Sequence, residues 1–260
     1  MKTYHFLAGL PRSGNTLLSS ILNQNPRFYS SPLSPVVDYL GNMYNIATQN
    51  FHINNTQDVQ GSHNALQKFI HNYYEHIDKP VIFDREKTWG TPKNYYNILT
   101  YITDKPKIIF TERPMPEILA SFIVAYGPRL NELMDNAKWN WKSHLTENDN
   151  KCDFLMSSSF ELDKILNTYT TIKNYPDSFH IVQYHDLTTK PQETLQKIYD
   201  FLGEEYYEHD FANVIRLETY TETNVGLPID FHKVRPVVEK NALQVESVLS
   251  DYAITKYTNY

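Results

Sequence analysis

Residues 7–22 read LAGLPRSGNTLLSSIL. Gly9, Gly14 and Thr16 fall on the G-x-x-x-x-G-K-[ST] spacing of a phosphate-binding loop, but Asn15 stands where that loop carries lysine, and a cation appears earlier, at Arg12. In a triphosphatase the lysine reaches the β- and γ-phosphates while the next hydroxyl holds magnesium, so its loss argues against γ-phosphoryl transfer. The backbone part of the device does not depend on the lysine. Successive N–H groups around Ser13 to Thr16, at the start of an apolar helix, favour an anion through their own dipoles. An ordinary tight turn with Ser13 or Asn15 as a helix cap has a similar composition. The run Pro-Arg-Ser-Gly-Asn-Thr directly after an apolar strand favours the anion, and an anion other than ATP.

A second pattern lies in KIIFTERPMPEILASF, residues 107–122. An apolar run ends at Glu112-Arg113, two prolines start the next helix, and Ser121 follows Arg113 by eight residues. An arginine at a strand end and a serine two turns up the following helix can meet on one phosphate, because the guanidinium fork matches phosphate oxygens. Taken alone, the same residues read equally well as a surface ion pair and an idle helix serine.

Together the two patterns resemble the sulfotransferases that use 3′-phosphoadenosine 5′-phosphosulfate (PAPS). Those enzymes carry a Pro-[Lys/Arg]-[Ser/Thr]-Gly-[Asn/Thr/Ser]-[Thr/Ser] loop, then a strand-end arginine with a serine eight residues later. The resemblance implies that Arg12, Ser13, Gly14, Asn15 and Thr16 hold the 5′-phosphosulfate and that Arg113 with Ser121 holds the 3′-phosphate. It also implies that no metal is needed and that the product is 3′-phosphoadenosine 5′-phosphate (PAP). The segment FHIVQYHDLTTKPQETLQKIYDFLG, residues 179–203, is similar to the family's strand, Tyr-Glu-Asp-Leu and Pro-initiated helix ending in Phe-Leu-Gly, with His185 in place of the glutamate. That match implies Tyr184 beside the adenosine; a rim tyrosine packing the sheet end is the other reading. In GLPIDFHKVRPVVEK, residues 226–240, Lys233 or Arg235 is placed to act as the basic C-terminal loop that family members close over the 3′-phosphate, or else to sit in a solvated loop. The fold implied is a P-loop-like three-layer α/β sandwich, a central parallel sheet with helices on both faces, forming one sulfotransferase domain over residues 1–260.

In-line sulfuryl transfer to a hydroxyl or amine needs a base at the acceptor, cations over the charge growing on the bridging oxygen, and exclusion of water. By the resemblance, Arg12 and Thr16 stabilise the leaving phosphate and Asn15 donates to the sulfuryl oxygens. The family's base motifs do not survive intact. Where cytosolic members place a histidine after a lysine past a strand end, residues 81–90 read VIFDREKTWG; where tyrosylprotein members place a glutamate, residues 25–35 read NPRFYSSPLSP. Asp84 is taken as the base, Lys87 as an electrostatic stabiliser and Trp89 as a stacking wall, against the reading of DREK as an exposed ion-pair cluster. His232 is the alternate base, because an ordinary imidazole titrates near neutrality. Two rivals stand beside transfer. A small-molecule kinase would want the loop lysine and a carboxylate for magnesium, for which Glu112 beside Arg113 is a poor stand-in. A catalytically inactive nucleotide-binding module would keep the anion-binding fold without chemistry.

These residues need a scaffold that aims them at one place. Apolar runs bounded by turn residues predict strands over 4–8, 80–84, 107–111 and 179–184, and helical periods predict helices over 15–22, 36–47, 64–76, 92–102, 116–125, 161–174, 191–201 and 243–257. Strands alternating with helices give a parallel sheet covered on both faces, with ligands at the carboxyl ends of the strands. Every motif above falls there. Residues 128–159, with Trp139 and Trp141, are the least regular part; packing of a peripheral helix is favoured for the tryptophans over a lid.

Composition narrows the partners. A chain of 260 residues with net charge −6 has no global attraction for nucleic acid, so a basic site must be a local pocket on an acidic body. One cysteine, Cys152, allows no internal disulfide and no cysteine metal cluster, which fits a reducing cytoplasm. No run of 18 apolar residues is present, so a soluble protein with no membrane partner is expected. The segments 30–38 and 128–159 select no acceptor among small molecules, sugars and peptides, and Tyr29, Tyr39 and Tyr44 serve an aromatic cleft or the core equally well.

Overall fold

The computed structural model describes residues 2–49, 59–216, 234–240 and 243–260. Five parallel strands form one sheet: β1 (Thr3–Gly9), β2 (Phe28–Ser30), β3 (Val81–Arg85), β4 (Ile108–Glu112) and β5 (Phe179–Gln183), in the order β2-β3-β1-β4-β5. Around it lie α1 (Asn15–Leu22), α2 (Val36–Gln49), α3 (Val59–Tyr73), α4 (Pro92–Tyr101), α5 (Met115–Tyr126), α6 (Arg129–Asn136), α7 (Glu147–Leu155), α8 (Leu162–Leu166), α9 (Thr168–Asn174), α10 (Tyr184–Thr189), α11 (Pro191–Leu202) and α12 (Asp251–Tyr257).

The strands are apolar almost throughout because both faces are covered. Leu7, Phe83, Ile109 and Val182 pack on one face against Leu18, Ile21 and Leu22 of α1 and Leu195, Ile198 and Tyr199 of α11. Phe6, Ala8, Ile82 and Phe110 pack on the other, beneath Val36 and Leu40 of α2, Leu66 and Ile70 of α3, Ile98 of α4 and Ile118 and Phe122 of α5. Burying each of the valine, leucine, isoleucine and phenylalanine side chains among these contributes roughly 1.5 to 3 kcal/mol. From β1 the chain goes first to the β2-β3 side and later to the β4-β5 side. The carboxyl end of β1 is therefore the switch point where the two halves part and a crevice opens. The ladders set Leu7 beside Arg85 and Gly9 beside Thr111, so the residues that follow β1, β3 and β4 emerge at one level.

The α/β sandwich with its central parallel sheet is the architecture expected from the sequence. The three-residue β2 is too short to show a period and was absent from that expectation. Residues 128–159 contain two helices. In α7 the residues Asp149, Asn150, Lys151 and Asp153 are buried beside Cys152 and Phe154, so no apolar stripe marks it; its start is fixed by a capping box between Thr146 and Asp149. The helix expected over 161–174 divides at Asn167, and the one expected over 243–257 begins only at Asp251, where the Ser250 hydroxyl accepts from the Ala253 N–H at 3.2 Å. Trp139 packs edge-on against Phe154 at 5.5 Å, while Trp141 is 41% exposed. Among the described residues no helix is long and apolar enough to cross a membrane.

Candidate functional site

The loop from Gly9 to Thr16 is held from below by β4. A Cβ on Gly9 would lie 2.2 Å from Thr111 Oγ1, so only glycine lets the two strands close at this point. Leu10 N–H donates to the Thr111 carbonyl at 3.0 Å, and the buried Ser13 hydroxyl shares its one hydrogen between the carbonyls of Leu10 and Thr111 and can accept from Thr111 Oγ1 at 2.6 Å. Arg12 adopts φ 62°, a left-handed conformation that costs a residue with a Cβ about 1 kcal/mol or more. Gly14 follows at φ 94° as the residue before α1 and supplies no side-chain cap. The first bond of the helix runs from Leu18 N–H to the Gly14 carbonyl, and no described group accepts from the N–H groups of Gly14, Asn15, Thr16 or Leu17. With no acidic residue in the first turn, this helix start directs its dipole at the crevice.

Two of the loop's side chains do other work than the sequence implied. The Asn15 amide nitrogen donates back to the Leu10 carbonyl at 2.9 Å, which leaves its oxygen, an acceptor, buried without a partner. Asn15 therefore braces the turn and is not aimed outward as a donor to sulfuryl oxygens. Ser13 is likewise fully buried, its hydroxyl spent on Leu10 and Thr111 and its N–H directed at the Leu10 carbonyl at 3.3 Å.

The second pattern converges on the first. Arg12 Nε donates to Ser121 Oγ at 3.1 Å, and Arg113 donates through NH1 to the Arg12 carbonyl at 3.1 Å. Arg113 is oriented by Glu117, one turn up α5, at 2.8 Å and lies over the Tyr184 ring at 4.4 Å. Tyr184 begins α10 instead of ending the strand, and its ring crosses Gly14, where a Cβ would approach it to 3.0 Å. Arg12, Gly14, Arg113, Ser121 and Tyr184, the first and last of them 172 residues apart in sequence, thus form one wall.

The end of β3 corrects the expected base. Asp84 is 0% exposed, and its carboxylate accepts from Ser34 Oγ and Tyr74 OH on one oxygen and from Trp89 Nε1 on the other, each at 2.7 Å. A carboxylate so enclosed cannot meet an acceptor; it fastens α2, α3 and the turn after β3 together. Burial raises its pKa against the pull of these three donors. Trp89 is buried with it and stacks on nothing outside the core, and Lys87 is paired with Glu161 at 2.5 Å. DREK is accordingly not an exposed cluster either.

Two residues of that segment went unread in the sequence. Arg85 donates through NH1 to Thr16 Oγ1 at 2.9 Å, which joins β3 to the loop. Glu86, the first residue past β3, is buried; one carboxylate oxygen accepts from the Thr88 N–H and hydroxyl, both at 3.2 Å, and the other accepts from no described residue. Burial raises its pKa, with Lys87 acting in the opposite sense. Only a strand boundary placed at Arg85 and the two-residue alternation from Ile82 would have found them.

Arg235 is 52% exposed and pairs with Glu239 at 3.3 Å; its segment is held by Val214 N–H donating to the Pro236 carbonyl and Val238 N–H to the Phe211 carbonyl. His232 and Lys233 lie outside the described residues. Glu112 accepts from Tyr169 and Gln183, one on each oxygen. Among the described residues, no group of three or more His, Cys, Asp or Glu is arranged to hold a metal.

The fold that carries these residues has known counterparts. The family model described as "Sulfotransferase family" matches residues 5–208, and the chain belongs to that family. Its fold is similar to the sulfotransferase domain of the Synechococcus PCC 7002 olefin synthase, with a TM-score of 0.58 and 18% identity over 100% of this chain and 94% of that one. It is also similar to the sulfotransferase domain of the curacin biosynthetic pathway, with a TM-score of 0.54 and 18% identity over 80% and 76% of the two chains. A sulfotransferase from Alicyclobacillus acidocaldarius aligns with a TM-score of 0.50 at 10% identity over 86% and 90%. No curated protein sequence matches the chain.

Proposed function

We propose that this protein is a PAPS-dependent sulfotransferase acting on a hydroxyl or amine acceptor. The observation that carries the reading is the meeting of the uncapped α1 N-terminus with Arg12, Arg113, Ser121 and Tyr184 in a member of the sulfotransferase family. These groups fit a nucleotide with anions at both ends. Open N–H groups and Thr16 suit the 5′ side; Arg113 and Ser121, linked through Arg12, suit a 3′-phosphate; Tyr184, close to Gly14 and under Arg113, suits the adenosine between them.

The donor supplies a sulfuryl group already activated as a mixed anhydride with phosphate. The chain's part is to bind that donor, to stabilise the negative charge left on the phosphate through α1 and the arginines, and to accept the proton of the incoming hydroxyl. Glu86 suits the role of proton acceptor, because its pKa is raised, one oxygen has no partner among the described residues, and it follows Arg85 at the strand end beside the loop. Lys87, held by Glu161, lies next to it in sequence.

Isothermal titration with PAP, without added metal, tests the donor. PAP is expected to bind much more tightly than 5′-AMP, and ATP with magnesium is expected to bind no better than 5′-AMP. A preference for ATP with magnesium would replace this reading with the kinase, and tight PAP binding without turnover of any acceptor would favour the inactive module.

A further inference from the structure

The loop lacks the lysine that usually faces the terminal phosphates, and the cation within it, Arg12, is drawn by Ser121 toward the side assigned to the 3′-phosphate. We infer that Arg85 replaces the missing lysine from a different strand, as the cation that binds the 5′ end of the nucleotide; the inference rests on the donor reading above.

Three observations support it. Arg85 leaves β3 on the face that packs against α1, and its NH1 reaches Thr16 Oγ1 at 2.9 Å, in the first turn of that helix. Its position is fixed at both ends by one residue, since the Arg85 N–H donates to Ser31 Oγ at 2.8 Å and its Nε donates to the Ser31 carbonyl at 3.2 Å. A guanidinium held this way loses little freedom when an anion arrives. The Thr16 hydroxyl, having accepted from Arg85, keeps its own hydrogen to give to an oxygen at the helix start, so charge and hydrogen bond point the same way. The lysine's position in the loop can then be filled by Asn15, whose amide is needed to brace the turn at Leu10. The ligand class is an adenosine nucleotide bearing a 5′-phosphate or 5′-phosphosulfate as well as a 3′-phosphate.

The test is a ligand-by-variant titration of the full chain with PAP and with adenosine 3′-monophosphate, which lacks the 5′ group. Arg85→Gln is expected to weaken PAP binding roughly 10- to 100-fold, the range of one charge-assisted bond, and to leave the 3′-monophosphate within about twofold. Arg113→Ala, on the other side, is expected to weaken both ligands. Arg85→Lys, which keeps charge but not the fork, is expected to lie between wild type and Arg85→Gln. Thr16→Val is expected to weaken PAP alone, which keeps the inference testable if Arg85→Gln does not fold. Unchanged PAP affinity in the Arg85 and Thr16 variants, or losses in them that are equal for both nucleotides, would overturn the assignment of Arg85 while leaving the donor reading intact. Failure of the wild-type protein to bind PAP would instead remove the donor reading, and this inference with it.

Discussion

Asp84 and Glu86 stand on either side of Arg85 and carry the same functional group, yet their surroundings assign them different work. Asp84 has three donors on two oxygens and no route outward, so its contribution is to stability. In Asp84→Asn an amide N–H₂ must oppose one of those donors, and chemical denaturation should register a loss of about 1 to 3 kcal/mol. Glu86 keeps one oxygen without a described partner. Glu86→Gln should leave PAP affinity within about twofold while lowering turnover by about 100-fold or more, the usual contribution of a positioned base. Because burial raises the Glu86 pKa, wild-type turnover should decline on the acid side at a pH above the ordinary glutamate range, since the proton-accepting form is lost as pH falls through that raised value. Turnover of Glu86→Gln equal to wild type, measured with radiolabelled PAPS on the acceptor that wild type uses, would exclude Glu86 as the base.

At the scale of elements, α12 is fastened to the α7 region by buried polar side chains as well as by apolar packing. Asp153, buried on α7, accepts from Lys142 at 2.5 Å, Lys256 at 2.7 Å and Tyr257 at 2.6 Å; the Ser250 hydroxyl donates to Asp149, and the Asn148 amide donates to the Val248 carbonyl at 2.9 Å. Burial acts to raise the Asp153 pKa, but the three donors outweigh it and hold the pKa below the ordinary aspartate range. Asp153→Ala leaves two ammonium groups and a buried phenol without their acceptor. It should cost about 3 kcal/mol and expose α12 to hydrogen exchange before the sheet opens. Simultaneous exchange of α12 and β1 in that variant would show that the fastening is not local.

At the scale of the molecule, buried histidines tie stability to pH. His5, on β1 against Phe83, has no partner on either ring nitrogen, and burial, with Lys107 adding to it, pushes its pKa down to about 4. Burial also pushes His209, beside Tyr199, down to about 4. Each group binds its proton more readily in the unfolded chain, so each withdraws stability as pH falls from about 6.5 toward 4. Asp84 and Glu86, with raised pKa values, act in the opposite sense. The histidine effect is isolated by comparison with His5→Leu, which should gain about 3 kcal/mol on wild type between pH 6.5 and pH 4. A constant difference between the two proteins across that range, followed by thermal unfolding, would mean that His5 is not held neutral.

The sequence by itself determined what local order can encode. The loop at residues 9–16, the bounds of α1 and four of the five strands follow from apolar runs and turn residues, as do the positions of Arg113 just past a strand and Ser121 on the helix after it. Tertiary structure decided what depends on contacts between distant segments. Whether Asp84 faces an acceptor or the core was settled by Ser34, Tyr74 and Trp89. The meeting of Arg85 and Thr16 depends on β3 lying next to β1, a neighbour relation that no spacing within residues 81–90 records. The same reason hid α7, where buried polar residues take partners on α12 and so erase the apolar period that marks a helix in sequence.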